Sequence, residues 1–285
     1  MKSDTMTSKE IRSRGHAALM RELGPVGYIR FLQLRRMVPS VVVELGSGSG
    51  DKLKALVDAG DLGSRRLNVH LVDLSAAALE LSRQTLGSYR GLQVATYEAT
   101  YEDGLGRAAG TFGSTDRVLA LFLGSNIGNF DPPASEAFVR MIRRRLRTGD
   151  ALLLGADLVK PAQRLELAYD DPLGVTAAFN RNLLVRVNRE LNAHFAIDQF
   201  AHRAIWNEAE SRVEMHLVAR TDQVVRVEGL DLEFRMAAGE TIWTESSYKF
   251  SPGAIRRLLD VSGFRPIAEW VDEHGQFLLT MAEAM

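Results

Sequence analysis

Residues 41–52 read VVVELGSGSGDK. The run Val41–Leu45, apolar apart from Glu44, is typical of a buried strand in a parallel sheet. The glycines at positions 46, 48 and 50 predict a tight turn into a helix, because glycine lets the backbone approach a ligand without side-chain interference. The next helix presents unpaired N–H groups at the same point. This stretch therefore predicts a ligand-binding turn between a strand and a helix.

A second predicted strand, LNVHLVDLS, ends near Asp73. An acid about twenty residues after such a turn can accept hydrogen bonds from ribose hydroxyls, so we expect an adenosine-bearing cofactor. Dinucleotide sites begin in the same way, and a turn without a ligand remains an alternative. S-adenosylmethionine is favoured because Glu44 directly precedes the turn, where a carboxylate suits a cationic ligand. No G-x-x-x-x-G-K-[ST] phosphate loop occurs in the sequence.

Strands and helices alternate up to residue 159, which predicts an α/β fold with a doubly wound parallel sheet. Strands are expected at 41–45, 67–74, 92–98, 117–124 and 151–159. Helices are expected at 52–59, 75–86 and 135–146, and residues 100–113 are expected to form a loop.

Beyond residue 159 the alternation stops. Residues 161–169 and 175–191 are typical of helices, whereas 212–234 and 239–250 have the period of antiparallel strands. A helix at 251–262 and a hairpin of strands 264–272 and 276–283, with its turn at 273–275, complete the chain. We predict an N-terminal helical segment (1–40), a class I methyltransferase domain (41–159 and 250–285) and an inserted, smaller α+β substrate-binding domain (160–249). The closing hairpin distinguishes this fold from a dinucleotide-binding one.

Composition restricts the possible functions. The chain of 285 residues has a formal net charge of −1 and no cysteine, so we expect neither nucleic acid nor a membrane as partner, and no disulfide or thiolate metal site. The six histidines lack metal-ligand spacing, and we predict no metal. No secretion signal is recognisable. We expect a cytoplasmic monomer.

Two further stretches carry polar residues that packing does not require. LGSNIGNF (123–130) follows the fourth strand, which places its polar residues at the carboxyl edge of the sheet, where such sheets bind ligands. TESSYKF (244–250) places Glu245 and Ser247 on one face of a strand. The alternatives are a loop or helix cap for the first stretch and a solvent-facing stripe for the second.

The motifs GSNIGNF, LLLGADLVK, YDDPLGVTAAFNRN, RVEMHL and TESSYKF occur in this order. Together they resemble the histidine-specific N-methyltransferase family, whose best-known member makes trimethylated histidine for ergothioneine biosynthesis. The resemblance covers about residues 41–283. It implies methyl transfer from S-adenosylmethionine to the α-amine of L-histidine, giving N,N,N-trimethylhistidine (hercynine).

The resemblance also implies roles for single residues. Asn129 and Tyr169 correspond to the pair that binds the substrate carboxylate, and the backbone at Gly124 would face the α-amine. Glu245 and Ser247 would bind the imidazole nitrogens. The apolar wall of that pocket corresponds to Met215.

On the cofactor side, Gly46 and Lys52 match contacts of the glycine turn, to which the residue analysis adds Glu44 and Gly48. Asp73 matches the ribose-binding acid. Tyr101 falls where the family has an aromatic residue beside adenine. No general base is recognisable in the sequence.

The sequence departs from the family pattern in two places. The first forty residues lack the tyrosine-rich segment that closes over the ligands in the family. Thr100 stands where the family usually has an aspartate. Two alternatives therefore stay open, a related methyltransferase acting on another amino acid or small amine, and a weakened or inactive homologue that binds S-adenosylmethionine or histidine.

Overall fold

The computed structural model describes residues 39–59, 66–272 and 276–285. These residues divide into two compact units. The insert unit is Val159–Lys249, and the α/β unit comprises the described residues up to Leu158 together with Phe250–Met285. The predicted helical segment at residues 1–40 lies outside the described residues apart from its last two positions, and the predicted turn at 273–275 lies outside them entirely.

The strands are, in chain order, β1 (Val41–Leu45), β2 (Leu67–Asp73), β3 (Leu92–Glu98), β4 (Val118–Phe122), β5 (Ala151–Asp157), β6 (Phe200–Asn207), β7 (Arg212–Ala219), β8 (Gln223–Val227), β9 (Leu232–Met236), β10 (Thr241–Tyr248), β11 (Phe264–Asp272) and β12 (Phe277–Ala284). The α-helices are α1 (Asp51–Ala59), α2 (Ala76–Leu86), α3 (Tyr101–Ala109), α4 (Pro132–Arg145), α5 (Ala162–Tyr169), α6 (Val175–Leu191) and α7 (Pro252–Val261).

The α/β unit contains a seven-stranded sheet in the order β11-β12-β5-β4-β1-β2-β3. Strands β1 to β5 are parallel to one another, and β12 runs antiparallel to both β5 and β11. The predicted doubly wound parallel sheet with a C-terminal antiparallel hairpin is confirmed. This order places the end of β1 between the ends of β4 and β2, at the centre of the carboxyl edge.

Helices cover both faces of this sheet. Leu53 of α1 and Leu79 of α2 belong to one buried core. Leu105 of α3, Phe138 of α4 and Ile255 of α7 belong to the core on the other face. Because the central strands are buried on both faces, their sequences are continuous apolar runs rather than alternating ones.

The predicted loop at residues 100–113 is wrong, since helix α3 occupies most of it. Thr100 caps this helix, accepting a hydrogen bond from the Asp103 N–H at 3.2 Å. The two glycines of YEDGLGRAA lower the helix propensity of this segment, so the sequence does not predict the helix. Gly104 is required by packing, because a Cβ there would lie 2.3 Å from Val72 Cγ1. Tertiary packing therefore overrides local propensity in α3.

The insert unit contains a three-stranded antiparallel sheet in the order β10-β7-β6 and a separate hairpin of β8 and β9. Leu184 of α6 packs with Phe200 and Leu217 of the sheet in a small core. The sequence does not predict strand β6, because FAHRAIWN lacks a clear alternation of polar and apolar residues. Among the described residues, no helix has the length and hydropathy needed to cross a membrane.

Candidate active site

The turn after β1 has the backbone conformation that its glycines predict. Gly46, Gly48 and Gly50 have φ angles of +76°, +55° and +76°, in the left-handed region that side chains disfavour. The Gly46 N–H donates a hydrogen bond to the carbonyl oxygen of Val72 at 2.8 Å. This hydrogen bond joins the turn to the end of β2.

Gly46 is also required by its surroundings. A Cβ at this position would lie 2.8 Å from Asn126 Nδ2 and 3.1 Å from Tyr101 Oη. A Cβ on Gly48, in contrast, would meet no atom within 4 Å. The polar ends of Asn126 and Tyr101 therefore converge on the first glycine, while the second borders open space.

Asp73 lies at the end of β2, beside this turn. Its Oδ2 accepts a hydrogen bond from the Gly48 N–H at 3.1 Å, and its Oδ1 accepts one from the Ser75 N–H at 2.9 Å. A carboxylate has about four lone-pair positions, so these backbone contacts orient Asp73 and leave it able to accept hydrogen bonds from a ligand.

Glu44, at the end of β1, is fully buried. Neither of its carboxylate oxygens has a hydrogen-bond partner among the described residues. Burial raises the pKa of Glu44 to about 8; the charge of Lys52 acts against this rise and that of Asp73 adds to it. An unpartnered buried carboxylate costs free energy unless it is protonated or meets a cation.

The segment after β4 faces the same turn. A Cβ on Gly124, which has a φ of +79°, would lie 3.2 Å from Lys52 Nζ. Ser125 also has a left-handed φ, of 63°, and its Oγ accepts a hydrogen bond from the Asp157 N–H at 2.9 Å. Asn129 ends the short 3₁₀ helix that follows and is exposed.

Tyr101 is the first residue of α3 and is partly buried. Its ring packs edge-on against Phe122 and Phe138, with centroids 5.4 and 5.6 Å apart. Burial raises the pKa of its hydroxyl, and the charge of Asp73 adds to the rise. These contacts fix an aromatic ring beside the glycine turn.

In the insert unit, a β-bulge sets the polar face of β10. The pairing with β7 shifts by one residue between Trp243 and Glu245, so Trp243 pairs with His216 but Glu245 pairs with Met215. Thr244, the extra residue, donates from Oγ1 to the carbonyl oxygen of Met215 at 2.9 Å. Without this bulge Glu245 would lie on the face of Trp243, because strand residues alternate between faces.

Three polar side chains meet next to the bulge. Tyr169 Oη and Ser247 Oγ are 2.8 Å apart. Lys249 Nζ donates to both, at 2.7 and 2.8 Å. Ser247 and Lys249 are 6% and 3% exposed, so this is a buried hydrogen-bonded cluster, which we call the Tyr-Ser-Lys cluster.

Glu245 lies on the same face as Ser247 and is partly buried. Burial raises the pKa of Glu245, and the charge of Lys249 opposes the rise. Its cross-strand partner Met215 is 4% exposed. The face therefore combines a carboxylate, a hydroxyl and an apolar thioether.

The structure brings the predicted residues together in two groups, one in each unit. In the α/β unit, the ends of β1 to β4 and the segments that follow them carry Glu44, Gly46, Gly48, Lys52, Asp73, Tyr101 and Gly124, with Asn129 farther along the segment after β4. In the insert unit, β7, β10 and the end of α5 carry Tyr169, Met215, Glu245 and Ser247. Sequence analysis assigns no individual role to two residues of these groups, Asn126 and Lys249. Asn126 stands in a stretch already noted for its polarity, and Lys249 stands two residues after Ser247 on the same face.

No group of three or more metal-ligating side chains occurs in the described ranges.

Residues 31–284 match the model of a family described as histidine-specific, S-adenosylmethionine-dependent methyltransferases. The chain belongs to this family. Its methyl donor is S-adenosylmethionine, and the predicted resemblance is confirmed. Its sheet has the closing antiparallel hairpin predicted for a class I methyltransferase fold.

Individual relatives agree with this assignment. A histidine N-alpha-methyltransferase of Mycolicibacterium smegmatis is 43% identical over 242 residues, which cover 85% of this chain and 74% of the relative. The protein of the same name from Mycobacterium tuberculosis is 44% identical over 246 residues, again 85% and 74% of the two chains. Ergothioneine biosynthesis protein 1 of Schizosaccharomyces pombe is 27% identical over 252 residues, which cover 85% of this chain and 32% of that protein.

Proposed function

We propose that this methyltransferase transfers methyl groups to the α-amine of L-histidine and produces N,N,N-trimethylhistidine (hercynine), as in ergothioneine biosynthesis. The observation that carries the proposal is the 43% identity, over 85% of the chain, to a histidine N-alpha-methyltransferase. The polar face of the insert unit supports the choice of substrate, and the fungal relative supports the pathway.

The α/β unit has groups that fit S-adenosylmethionine. Glu44 offers a buried carboxylate without a hydrogen-bond partner among the described residues, which suits the ammonium or sulfonium charge of this cofactor. We propose that Gly46, Gly48 and Lys52 bind its amino-acid part, that Asp73 binds its ribose and that Tyr101 lies beside its adenine. The open space beside Gly48 supports this placement.

The insert unit has groups that fit imidazole. A neutral imidazole has one hydrogen-bond donor and one acceptor. Glu245 can accept from the N–H, and a hydroxyl of the Tyr-Ser-Lys cluster can donate to the other nitrogen, while Met215 contributes an adaptable apolar contact. An amino acid with an apolar side chain would leave these buried groups unpaired, at a cost of about 1–3 kcal/mol for each. We therefore propose that this unit, predicted from the sequence as residues 160–249, binds the substrate.

Three proposed contacts concern the main chain of the substrate. Asn129 and Tyr169 are proposed ligands of the carboxylate, through an amide and a phenol that can each donate a hydrogen bond. The backbone at Gly124 is proposed to face the α-amine, since this exposed glycine has no side chain to obstruct it.

The methyl transfer requires the protein mainly to align the amine with the methyl group. Bound S-adenosylmethionine supplies an electrophilic methyl group on a positively charged sulfur. The residues named above would hold the amine lone pair in line with that methyl carbon and exclude water, which is where most of the rate enhancement of such a displacement arises. Each transfer requires a neutral amine. No described side chain is assigned as its base.

Mass spectrometry of protein incubated with S-adenosylmethionine and L-histidine tests the proposal. We expect mono-, di- and trimethylhistidine in sequence, and no product with L-leucine or L-phenylalanine. Methylation of another amino acid in preference to histidine would establish the related-enzyme alternative. S-adenosylmethionine binding without any product would establish the inactive homologue. Cytoplasmic location, a monomeric state and independence of nucleic acid and membranes stay predictions.

A further inference from the structure

Lys249 belongs to the polar face of β10. Neither the glycine motif nor the family resemblance singles this lysine out. It is 3% exposed, and its Nζ lies 2.7 Å from Tyr169 Oη and 2.8 Å from Ser247 Oγ. Because the two hydroxyl oxygens are themselves 2.8 Å apart, the three polar atoms form a closed triangle. Nζ also lies 4.6 Å from the centroid of the Tyr169 ring.

The direction of these hydrogen bonds follows from the donors. An ammonium group can only donate, so its hydrogen bonds to Tyr169 and Ser247 run toward the hydroxyl oxygens. Each hydroxyl therefore keeps its own proton for another acceptor. One of the two protons is used in the bond between Tyr169 and Ser247, since only one of them can donate in it. A single O–H hydrogen remains for a ligand.

The backbone of Tyr169 is held separately. His202 Nε2 lies 2.8 Å from the carbonyl oxygen of Tyr169, and His202 Nδ1 lies 2.9 Å from Nδ2 of the buried Asn180. The amide donates to Nδ1, so Nε2 carries the hydrogen and donates to the carbonyl. With the end of α5 anchored in this way, Lys249 acts on the hydroxyl of Tyr169 rather than on the position of the residue.

We propose that Lys249 is a positioning and specificity residue, which fixes the Tyr169–Ser247 pair as a donor of a single hydrogen bond to the bound amino acid. This inference rests on the proposed function and deepens it. The group that the pair recognises is one hydrogen-bond acceptor, either an unprotonated ring nitrogen or a carboxylate oxygen, so the pair makes only one of the two contacts proposed above for its hydroxyls. Glu245, on the same face, accepts the N–H of the ring.

Titration calorimetry on protein saturated with S-adenosylhomocysteine tests the proposal. We expect Lys249→Met to raise the Kd of L-histidine at least about tenfold, because the hydroxyl pair loses its fixed direction. The Kd of S-adenosylhomocysteine should stay within about twofold, since its proposed ligands lie in the α/β unit. Arg212→Met is the matched control, because Arg212 is a partly buried cation on the opposite face of the same sheet. It should leave the Kd of histidine within about threefold.

A double-mutant cycle separates this role from general stabilisation. If Lys249 acts through Ser247, the variant Lys249→Met/Ser247→Ala should bind histidine about as weakly as the weaker single variant. Losses that multiply in the double variant would overturn the proposal, as would wild-type affinity in Lys249→Met. Absence of histidine binding by the unmodified protein would instead defeat the proposed function.

Two substrate analogues identify the acceptor. Histidinol lacks the carboxylate, and β-2-thienylalanine lacks the ring nitrogens. The effect of Lys249→Met should disappear with one of them and persist with the other; persistence with both would contradict a single recognised acceptor. Should Lys249→Met not fold, the cycle of Tyr169→Phe and Ser247→Ala replaces it. Multiplying losses there would show two independent donors and overturn the inference.

Discussion

Strand β1, which precedes the glycine turn, and the bulged strand β10 each carry a glutamate whose pKa is raised by burial, and the two glutamates differ in their surroundings. Glu44 is fully buried without a hydrogen-bond partner among the described residues, shortly before a turn whose three glycines have left-handed φ angles. Glu245 is partly buried, and the charge of Lys249 offsets part of the effect of burial. Its site is built from side chains on one sheet face.

This difference has a physical reason. A cationic ligand can stabilise a buried carboxylate by itself, so Glu44 needs no partner within the protein. Selecting a neutral imidazole ring requires hydrogen-bond donors and acceptors at fixed positions. Several side chains that hydrogen-bond to one another provide such positions. If the two sites are separate in function, substitutions in the α/β unit should change cofactor affinity, and substitutions in the insert unit should change affinity for the amino acid.

The largest effect on ligand affinity is expected from Gly46→Ala. A side chain there combines an unfavourable φ of +76° with displacement of the Asn126 amide and the Tyr101 hydroxyl. Disturbing two polar contacts at about 1–3 kcal/mol each should weaken S-adenosylmethionine binding roughly 100-fold, as calorimetry would measure. Gly239→Ala is the control, because Gly239 has a φ of +89° and a Cβ there would meet no atom within 4 Å. A Kd for Gly46→Ala close to that of the wild type would refute a cofactor site at this turn.

Glu245→Gln should act on the amino acid alone. Replacing the carboxylate by a neutral amide leaves a weaker acceptor for the imidazole N–H and puts an NH₂ donor beside the ring, so kcat/KM for histidine should fall about 10- to 100-fold. The Kd of S-adenosylmethionine should not change. Glu214→Gln serves as control, since Glu214 lies on the opposite face, bonded to Asn207 and Arg212. An equal fall in both variants would mean that the loss reflects the stability of the insert unit and not recognition.

Glu44→Gln should change the pH dependence of stability. Between pH 4.5 and about 8 the folded protein keeps a proton on Glu44 that the unfolded chain releases. The contribution of Glu44 to the free energy of unfolding is therefore full below pH 4.5 and is lost as pH rises to about 8, by up to about 1.4 kcal/mol per pH unit.

Thermal unfolding between pH 5 and pH 8 measures this effect. The Tm of the wild type should fall relative to that of Glu44→Gln as pH rises. Glu80→Gln, a change at an exposed site on α2, should follow the wild type. Parallel curves for the wild type and Glu44→Gln would show that Glu44 is already ionised across this range.

The smallest effect is expected from Thr244→Val. This change keeps the shape of the side chain but removes the hydrogen bond to the carbonyl oxygen of Met215. The free energy of unfolding should fall by about 0.5–1.5 kcal/mol in urea titration, and KM for histidine should rise a few-fold. Thr241→Val, at the exposed start of β10, should be nearly neutral. Equal results for the two variants would mean that the bulge does not depend on this hydrogen bond.

Local sequence determined the parts of the fold that depend on neighbouring residues. The continuous apolar runs of β1 and β4 predicted a sheet buried on both faces, and the glycines after β1 predicted the turn. Ser75 predicted the start of α2, where it accepts a hydrogen bond from the Ala78 N–H. Each of these features requires only residues a few positions apart, so the pattern alone is sufficient.

Tertiary structure alone decided the features that join distant residues. Helix α3 tolerates Gly104 because β2 packs against it, and the glycine turn meets Asn126 only after β4 lies beside β1. The bulge at Thr244 decides the face on which Glu245 lies, and Lys249 reaches Tyr169 across 80 positions of sequence. The physical reason is the same throughout: packing density and hydrogen-bond satisfaction are fixed by spatial neighbours, which periodicity and propensity in the sequence do not identify.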